Sequence, residues 1–526
     1  MTVLPMSLWC ITARVAAWHG RVAFRPLVIC AWRTARFPVD KIDCVSPSRH
    51  GTRYLIIRGQ YTMPKSSCKS SSPRQKFCKR YSGIEDLPVV NRHAAGIDLG
   101  GDVSHFVAIE VGEDVEVREF GGMTPDLHAL VEYLKAHRVT TVAMEATGVY
   151  WMPVYDLLET GGFEVYLVNP SNVKNVPGRQ KDDKLDSRWL QKLHKYGLLH
   201  ASFRPSEDIR PLRSLHRQRT KLVSQAADQI RRMHKALDVM NVRVHKVISD
   251  ICGMTGQRII RSILAGERDP RVLAAMREPN CKCTEEELRD ALTGYYQAHE
   301  VFALRQGLEH YDFLVAQIAA LDKEMESYLT ALLPMADEDI AARIADAKQP
   351  LPKGKHAPGY NVAGYVELFT GQDPTSLPGV GPQIALGLLT ELGRDMTKWP
   401  TAKHLGSFLG LAPQPKISGG KVLRSRTRPC DPPAAGLFRQ AAAAVIREDS
   451  AMGAFCRRLG LRIGKAKALV ATAYKIARMY YHLMLDGRAY VEVGEKAYEE
   501  KYRKQQIASL EKRAKRLGYA VTPLAA

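Results

Sequence analysis

Two apolar runs that each close on a carboxylate set the strongest limit on what this chain can fold into: HAAGIDLG, with Asp98, and TTVAMEATGVYW, with Glu145. Each reads as a buried strand. SHFVAIEVG and VEVREFGG read as two more strands, DLHALVEYLKAH has helical spacing, TGVYWMPVYDLLETGG is helical, and FEVYLVNP is a further strand. Strands mixed with crossover helices indicate an α/β sheet, which closes near residue 204. A carboxylate at the end of a buried strand faces the sheet edge, where active sites of open α/β folds lie.

Asp183 and Asp186 stand in GRQKDDKLDSRWL, a basic loop feeding a helix. Three residues apart, they share one helix face. Asp182 adjoins Asp183, so either is the third acid; the spacing to Asp186 favours Asp183. Brought together, four carboxylates repel unless cations neutralise them. An oxygen-only site fits a hard divalent ion such as Mg²⁺. Two such ions clamp the attacking and leaving oxygens of a phosphoryl transfer.

The 526 residues hold 76 Lys+Arg against 55 Asp+Glu, a formal charge of +21, which favours a polyanionic partner. No run of about 18 apolar residues is present, so no transmembrane helix is expected. The ten cysteines are scattered, which suggests reduced thiols in a cytoplasmic protein. The tight pair Cys281 and Cys283 lacks the second pair that a zinc site needs.

Residues 1–92 read as a non-native or disordered basic extension, with Met63 as the expected true start. The α/β unit spans 93–204. Residues 205–335 read as two long amphipathic helices with a shorter helical insert, which suggests an antiparallel coiled-coil spacer. Residues 336–366 read as a linker, 367–485 as a compact helical domain, and 486–526 as a charged surface helix. SLPGVGPQIALGLLTELG resembles a helix-hairpin-helix, in which Gly379 and Gly381 allow a tight turn whose amides bind a DNA phosphate.

A second chemical cluster is LGLAPQPKISGGKVLRSRTR. Ser418 precedes two glycines and is followed by Lys421, Arg424, Arg426 and Arg428. Such a serine has little steric cover, and a hydroxyl attacks phosphorus to give a covalent intermediate. The cations would hold the phosphate and stabilise charge developing on it. Ser425 is a second candidate in the same loop.

Taken together, GIDLG, AMEATGVYW and KDDKLDSRWL, followed by LPGVG, LGLAP and ISGGK, resemble the DEDD insertion-sequence transposases, also called bridge-RNA-guided recombinases. The similarity covers about residues 93–515 in matching order. The resemblance implies a RuvC-like domain of RNase H fold whose acids, at Asp98, Glu145, Asp183 and Asp186, hold Mg²⁺. It implies a transposase domain whose serine nucleophile, at Ser418, cleaves a DNA strand and stays linked to it. It also implies donor and target DNA, a noncoding guide RNA, and a homodimer that pairs into a tetramer. Sequence choice would then be delegated to base pairing.

One departure stands out: Pro429-Cys430-Asp431-Pro432-Pro433 replaces the family's Gly-containing basic turn, implying a reshaped loop behind the serine. Three alternatives stay open. One is a RuvC-like metal-dependent nuclease without serine chemistry. Another is an actin-like ATPase, which GIDLGG also resembles. The last is an inactive nucleic-acid-binding relic.

Overall fold

The computed structural model describes residues 87–100, 104–146, 148–169, 182–346, 354–430 and 432–522. The expected extension up to residue 86, the start at Met63 and the basic loop before residue 182 lie outside these residues.

The first unit is a five-stranded sheet of β1 (Ala94–Gly100), β2 (Ser104–Val111), β3 (Asp114–Gly121), β4 (Thr141–Glu145) and β5 (Glu164–Val168). Its order is β3-β2-β1-β4-β5. β1, β2 and β3 are antiparallel neighbours, while β4 runs parallel to both β1 and β5. Helices α1 (Thr124–Ala136) and α2 (Trp151–Thr160) supply the crossovers. Leu127, Leu130, Leu134, Val154 and Leu158 pack on Ile97, Leu99, Val107 and Ile109 of one sheet face. Each such buried side chain contributes roughly 1.5–3 kcal/mol. Helix α3 (Asp183–Lys195) covers the other face, where Leu190 meets Ala143 and Val168. This mixed, three-layer arrangement is that of an RNase H-like domain.

Two long helices follow, α4 (Arg210–Val239) and α9 (Ala298–Ala331). Arg219 meets Asp322, and Gly307 meets Met233, so the pair is antiparallel. A Cβ at Gly307 would lie 2.8 Å from Met233 Cγ, which explains a glycine inside a helix at this crossing. Between them a small helical cap holds α5 (Val244–Val247), α6 (Met254–Ala265), α7 (Pro270–Ala274) and α8 (Glu285–Leu292), with its own core around Ile259, Ile260, Leu273 and Leu288.

The remaining chain is mostly helical: α10 (Asp337–Asp346), α11 (Val362–Thr370), α12 (Pro382–Leu392), α13 (Ala402–Phe408), α14 (Pro433–Val445), α15 (Ala451–Ile463), α16 (Lys465–Asp486) and α17 (Glu495–Arg516). Residues 336–366 were expected as a linker; they hold α10 and the start of α11, and Tyr360, Val362, Tyr365 and Val366 are core residues. That core also takes in Leu212 and Met325 from the feet of α4 and α9, so the hydrophobic interior runs across the boundary drawn at residue 335. Charge reinforces the junction. Arg213 and Arg217 both donate to the buried Glu391 of α12, at 2.8 and 2.7 Å. Burial alone would raise the Glu391 carboxyl, but the two guanidiniums more than offset this and hold it below the usual range.

Arg219 and Asp322 form a buried bidentate pair, and Arg219 Nη2 also donates to the His356 carbonyl at 2.6 Å. Removing one partner strands a buried charge. Asp322→Ala is therefore expected to cost about 3–5 kcal/mol, whereas replacing both residues by apolar ones of similar volume costs far less. Denaturant unfolding of the two variants checks this; equal losses would mean the pair is not the cause.

Candidate active site

Asp98 and Glu145 lie on neighbouring parallel strands, near the carboxyl end of β1 and at the last residue of β4. Asp183 and Asp186 open α3. Asp182 is the N-cap of that helix, and its side chain accepts from the Lys184 amide. A capping role of this kind separates Asp182 from its neighbour. The acids converge electrostatically on Asp98. Burial first, then Asp186, Asp183 and Glu145, push its carboxyl up to about 6.

The docking of α3 on β1 brings the acids together. A Cβ at Gly96 would lie 2.2 Å from the Gln191 amide nitrogen and 2.4 Å from the Ser187 carbonyl oxygen. Only glycine lets the helix backbone approach this strand. Polar pins then fix the helix. Gln191 Nε2 donates to the Ala94 carbonyl at 3.4 Å, and Asn91 Nδ2 to the His194 carbonyl at 2.8 Å. Lys195 pairs with Glu110 of β2 at 2.6 Å. The Thr141 hydroxyl donates to the Glu164 carbonyl at 3.0 Å and lies 2.8 Å from His194 Nε2. Burial lowers the His194 imidazole to about 4, so it sits there neutral. Nothing in the sequence reading singled out Gly96, Gln191 or His194. The visible signal was a glycine in mid-strand, which marks close backbone approach.

Among the described residues, no group of three His, Cys, Asp or Glu side chains closes tightly enough to hold a metal ion. The chemistry of the donor set nevertheless fits a hard divalent cation. It offers only oxygens, and Asp98 carries an unfavourable charge that a cation would relieve.

The second cluster, read from sequence as a loop, is a two-stranded hairpin of β6 (Pro413–Ser418) and β7 (Lys421–Thr427), with every residue exposed. Gly419 and Gly420 have φ of +54° and +73°, the two positive values that a tight two-residue hairpin turn needs. Ser418 pairs with Lys421, Lys416 with Arg424, and Gln414 with Arg426. A bulge between Lys416 and Ile417 shifts the register, with Leu423 as the extra residue. Strand alternation then puts Ser418, Lys416, Lys421, Arg424 and Arg426 on one face. Ser425, opposite Pro415, lies on the other. Lys416 was absent from the sequence-based set. Arg428 lies beyond β7, and its Nη2 donates to the Phe408 carbonyl at 3.3 Å.

The departure after the serine has a local explanation. Pro432 and Pro433 occupy the N-cap and first position of α14, where a missing amide costs nothing. Cys430 Sγ would sit 2.4 Å from a Cβ at Gly410, so this segment is packed beneath the LGLAP turn.

Gly379 and Gly381 differ. Gly379 has φ +69°, and a Cβ there would meet the Ala441 carbonyl of α14 at 2.2 Å. Gly381 is the N-cap of α12 with open space around it.

Residues 95–242 match a family model described as transposase, DEDD type of IS110. Residues 375–457 match a second, described as transposase of the IS116/IS110/IS902 family. A curated relative from Streptomyces coelicolor, the insertion element IS110 uncharacterized 43.6 kDa protein, is 52% identical over 48 residues, 9% of this chain and 12% of its own length. The chain thus spans about 12% of the length of that relative. The two matched stretches, in this order on one polypeptide, are both similar to IS110-type transposases, and the curated relative comes from an IS110 element as well.

Proposed function

We propose that the chain is the DNA transposase of a bacterial insertion sequence, cutting and rejoining strands through Ser418 and the four acids. One observation supports this above all: Asp98 is pushed up by burial and by Asp186, Asp183 and Glu145, which the fold gathers from β1, β4 and α3. Asp98, Glu145, Asp183 and Asp186 would hold Mg²⁺. When bound, the ion would neutralise charge on the phosphate and on the leaving oxygen.

Ser418 Oγ bonds to the scissile phosphorus as the bond from phosphorus to the leaving deoxyribose oxygen breaks. The proton lost by the serine ends on that oxygen. Attack on the phosphoserine by another strand's hydroxyl reverses the exchange and frees Ser418. Lys416, Lys421, Arg424 and Arg426 hold the phosphate on the serine's face of the hairpin. In this reading a guide RNA from the element pairs with donor and target DNA. The acids of one subunit serve the hairpin of another, in a dimer that pairs into a tetramer. The α4–α9 pair acts as a coiled-coil arm, and amides near Gly381 contact a phosphate as in a helix-hairpin-helix.

The test is trapping of a covalent protein–DNA adduct on DNA from the element's ends. Ser418→Ala is expected to lower adduct and cleavage by about a thousand-fold or more, since the nucleophile itself is gone. Its melting temperature should not move, because the side chain is exposed. Ser425→Ala should keep full activity. Cleavage by hydrolysis without an adduct would instead favour a metal-dependent nuclease that does not use the serine. Sequencing RNA that co-purifies with the chain tests the guide; random RNA would count against it.

A further inference from the structure

Helix α17 lies beyond both matched stretches, and none of its residues is buried. It is nonetheless anchored. Arg457 of α15 pairs with Glu495 at 2.6 Å, and the Arg458 guanidinium stacks 3.5 Å from the Tyr502 ring centre and 4.9 Å from that of Tyr498. Glu492 accepts from the Ala451 and Gly494 amides, fixing the turn that leads in. The contacts all fall on its first half. The second half projects with a strong charge bias: of the sixteen residues from Lys501 to Arg516, seven are Lys or Arg and one is Glu.

Helical spacing aligns Lys501, Lys512, Lys515 and Arg516 along one face, with Gln505 and Ala508 between them. All four cations are exposed, and none has an acidic partner among the described residues. Lys504, by contrast, is paired with Glu500 at 2.7 Å. An anchored helix with a row of unpaired cations fits a polyanion. The row contains no aromatic ring on which an unstacked base could lie, and Tyr498 and Tyr502 are already occupied by Arg458. It is suited to phosphates of a duplex rather than to bases of a single strand.

A second occupant can be weighed. Ile507, Leu510, Ala514 and Leu517 form an apolar stripe at coiled-coil spacing. It covers less than two heptads and has alanine at one seam position and Arg503 at the preceding one. A stable two-stranded coil needs about three or four heptads.

We infer that α17 is a sequence-independent clamp for duplex DNA, gripping phosphates through Lys501, Lys512, Lys515 and Arg516. The inference rests on the transposase reading and adds a DNA contact outside both catalytic clusters.

The test measures binding of the full chain to a random-sequence DNA duplex over a range of salt. The variant carries Lys501→Gln, Lys512→Gln, Lys515→Gln and Arg516→Gln, which keep helix propensity. Four lost phosphate contacts should reduce the slope of log affinity against log salt by about 3.6. At about 0.1 M salt the affinity should fall at least ten-fold. Adduct formation at Ser418 is scored on the same preparations. A wild-type chain that binds and a variant with the same affinity and slope would overturn the clamp and leave the transposase reading intact. A wild-type chain with no affinity for duplex would overturn both. Loss of single-stranded RNA binding alone would overturn the assignment to duplex. So would a change of oligomeric state in Ile507→Ser/Leu510→Ser with duplex binding unaltered by the four Gln substitutions, which would make this a contact between copies.

Discussion

Asp98→Asn should abolish strand cleavage and, in metal-free buffer at neutral pH, raise the melting temperature by a few degrees. The two effects have one source. Burial and the three neighbouring acids raise the Asp98 carboxyl from 3.8 to about 6. Raised in the fold, this group binds more protons in the native than in the unfolded state between those values. Wild-type stability therefore falls as pH rises from about 4 to about 6 and stays lower above that window. Allowing for partial exposure of the site, the deficit is on the order of 1–2 kcal/mol. The amide removes the charge and with it the deficit. Added Mg²⁺ should stabilise the wild type and leave the variant nearly unmoved. A variant that melts well below the wild type at every pH would mark Asp98 as part of the scaffold.

Gly96→Val should be as damaging to cleavage without touching an acid. The new side chain meets backbone atoms of Gln191 and Ser187, which cannot rotate away. Either α3 lifts from β1 or β1 distorts. Overpacking of this kind costs about 1–3 kcal/mol or more. Lifting α3 carries Asp183 and Asp186 away from Asp98, and a displacement of about 1 Å is enough to lose a hundred-fold in rate. Gly96→Ala should show the same direction with a smaller loss of stability. Wild-type melting and cleavage by Gly96→Ala would show that the contact does not set the site. Cooperative unfolding followed by far-ultraviolet circular dichroism, alongside cleavage, separates displacement from global unfolding.

These two positions show what could be read in advance. The strand runs ending at Asp98 and Glu145 are local patterns, and local patterns survive in a single sequence. That α3 lies on β1 is a contact between residues about ninety apart, and the glycine that permits it looks like any other glycine in a strand. The hairpin was harder still. Its strands have no buried face, so they lack the apolar alternation that announces a sheet, and Pro413 and Pro415 argue against one. The bulge that returns Lys421 to the serine's face has no sequence signature. Residues 336–366 were judged by composition, and Ala, Pro and Lys masked the periodic apolar positions of α10 and α11.

The ion pairs at the foot of the long helices make the arm a ruler. Helix α4 has 30 residues and is about 45 Å long, so its far end stands roughly 35 Å from the arginines that grip α12. With Glu391 gripped by two arginines and Arg219 locked to Asp322, the arm cannot swivel freely at its base. Its length, roughly that of 13 base pairs of duplex at 3.4 Å each, is then a fixed spacing between the cap and the helical core at its foot. Adding one heptad to each long helix would lengthen that spacing by about 10 Å while nearly preserving the facing of the cap. If the proposed cleavage takes place, cut sites that moved in step would show that the protein itself measures the distance.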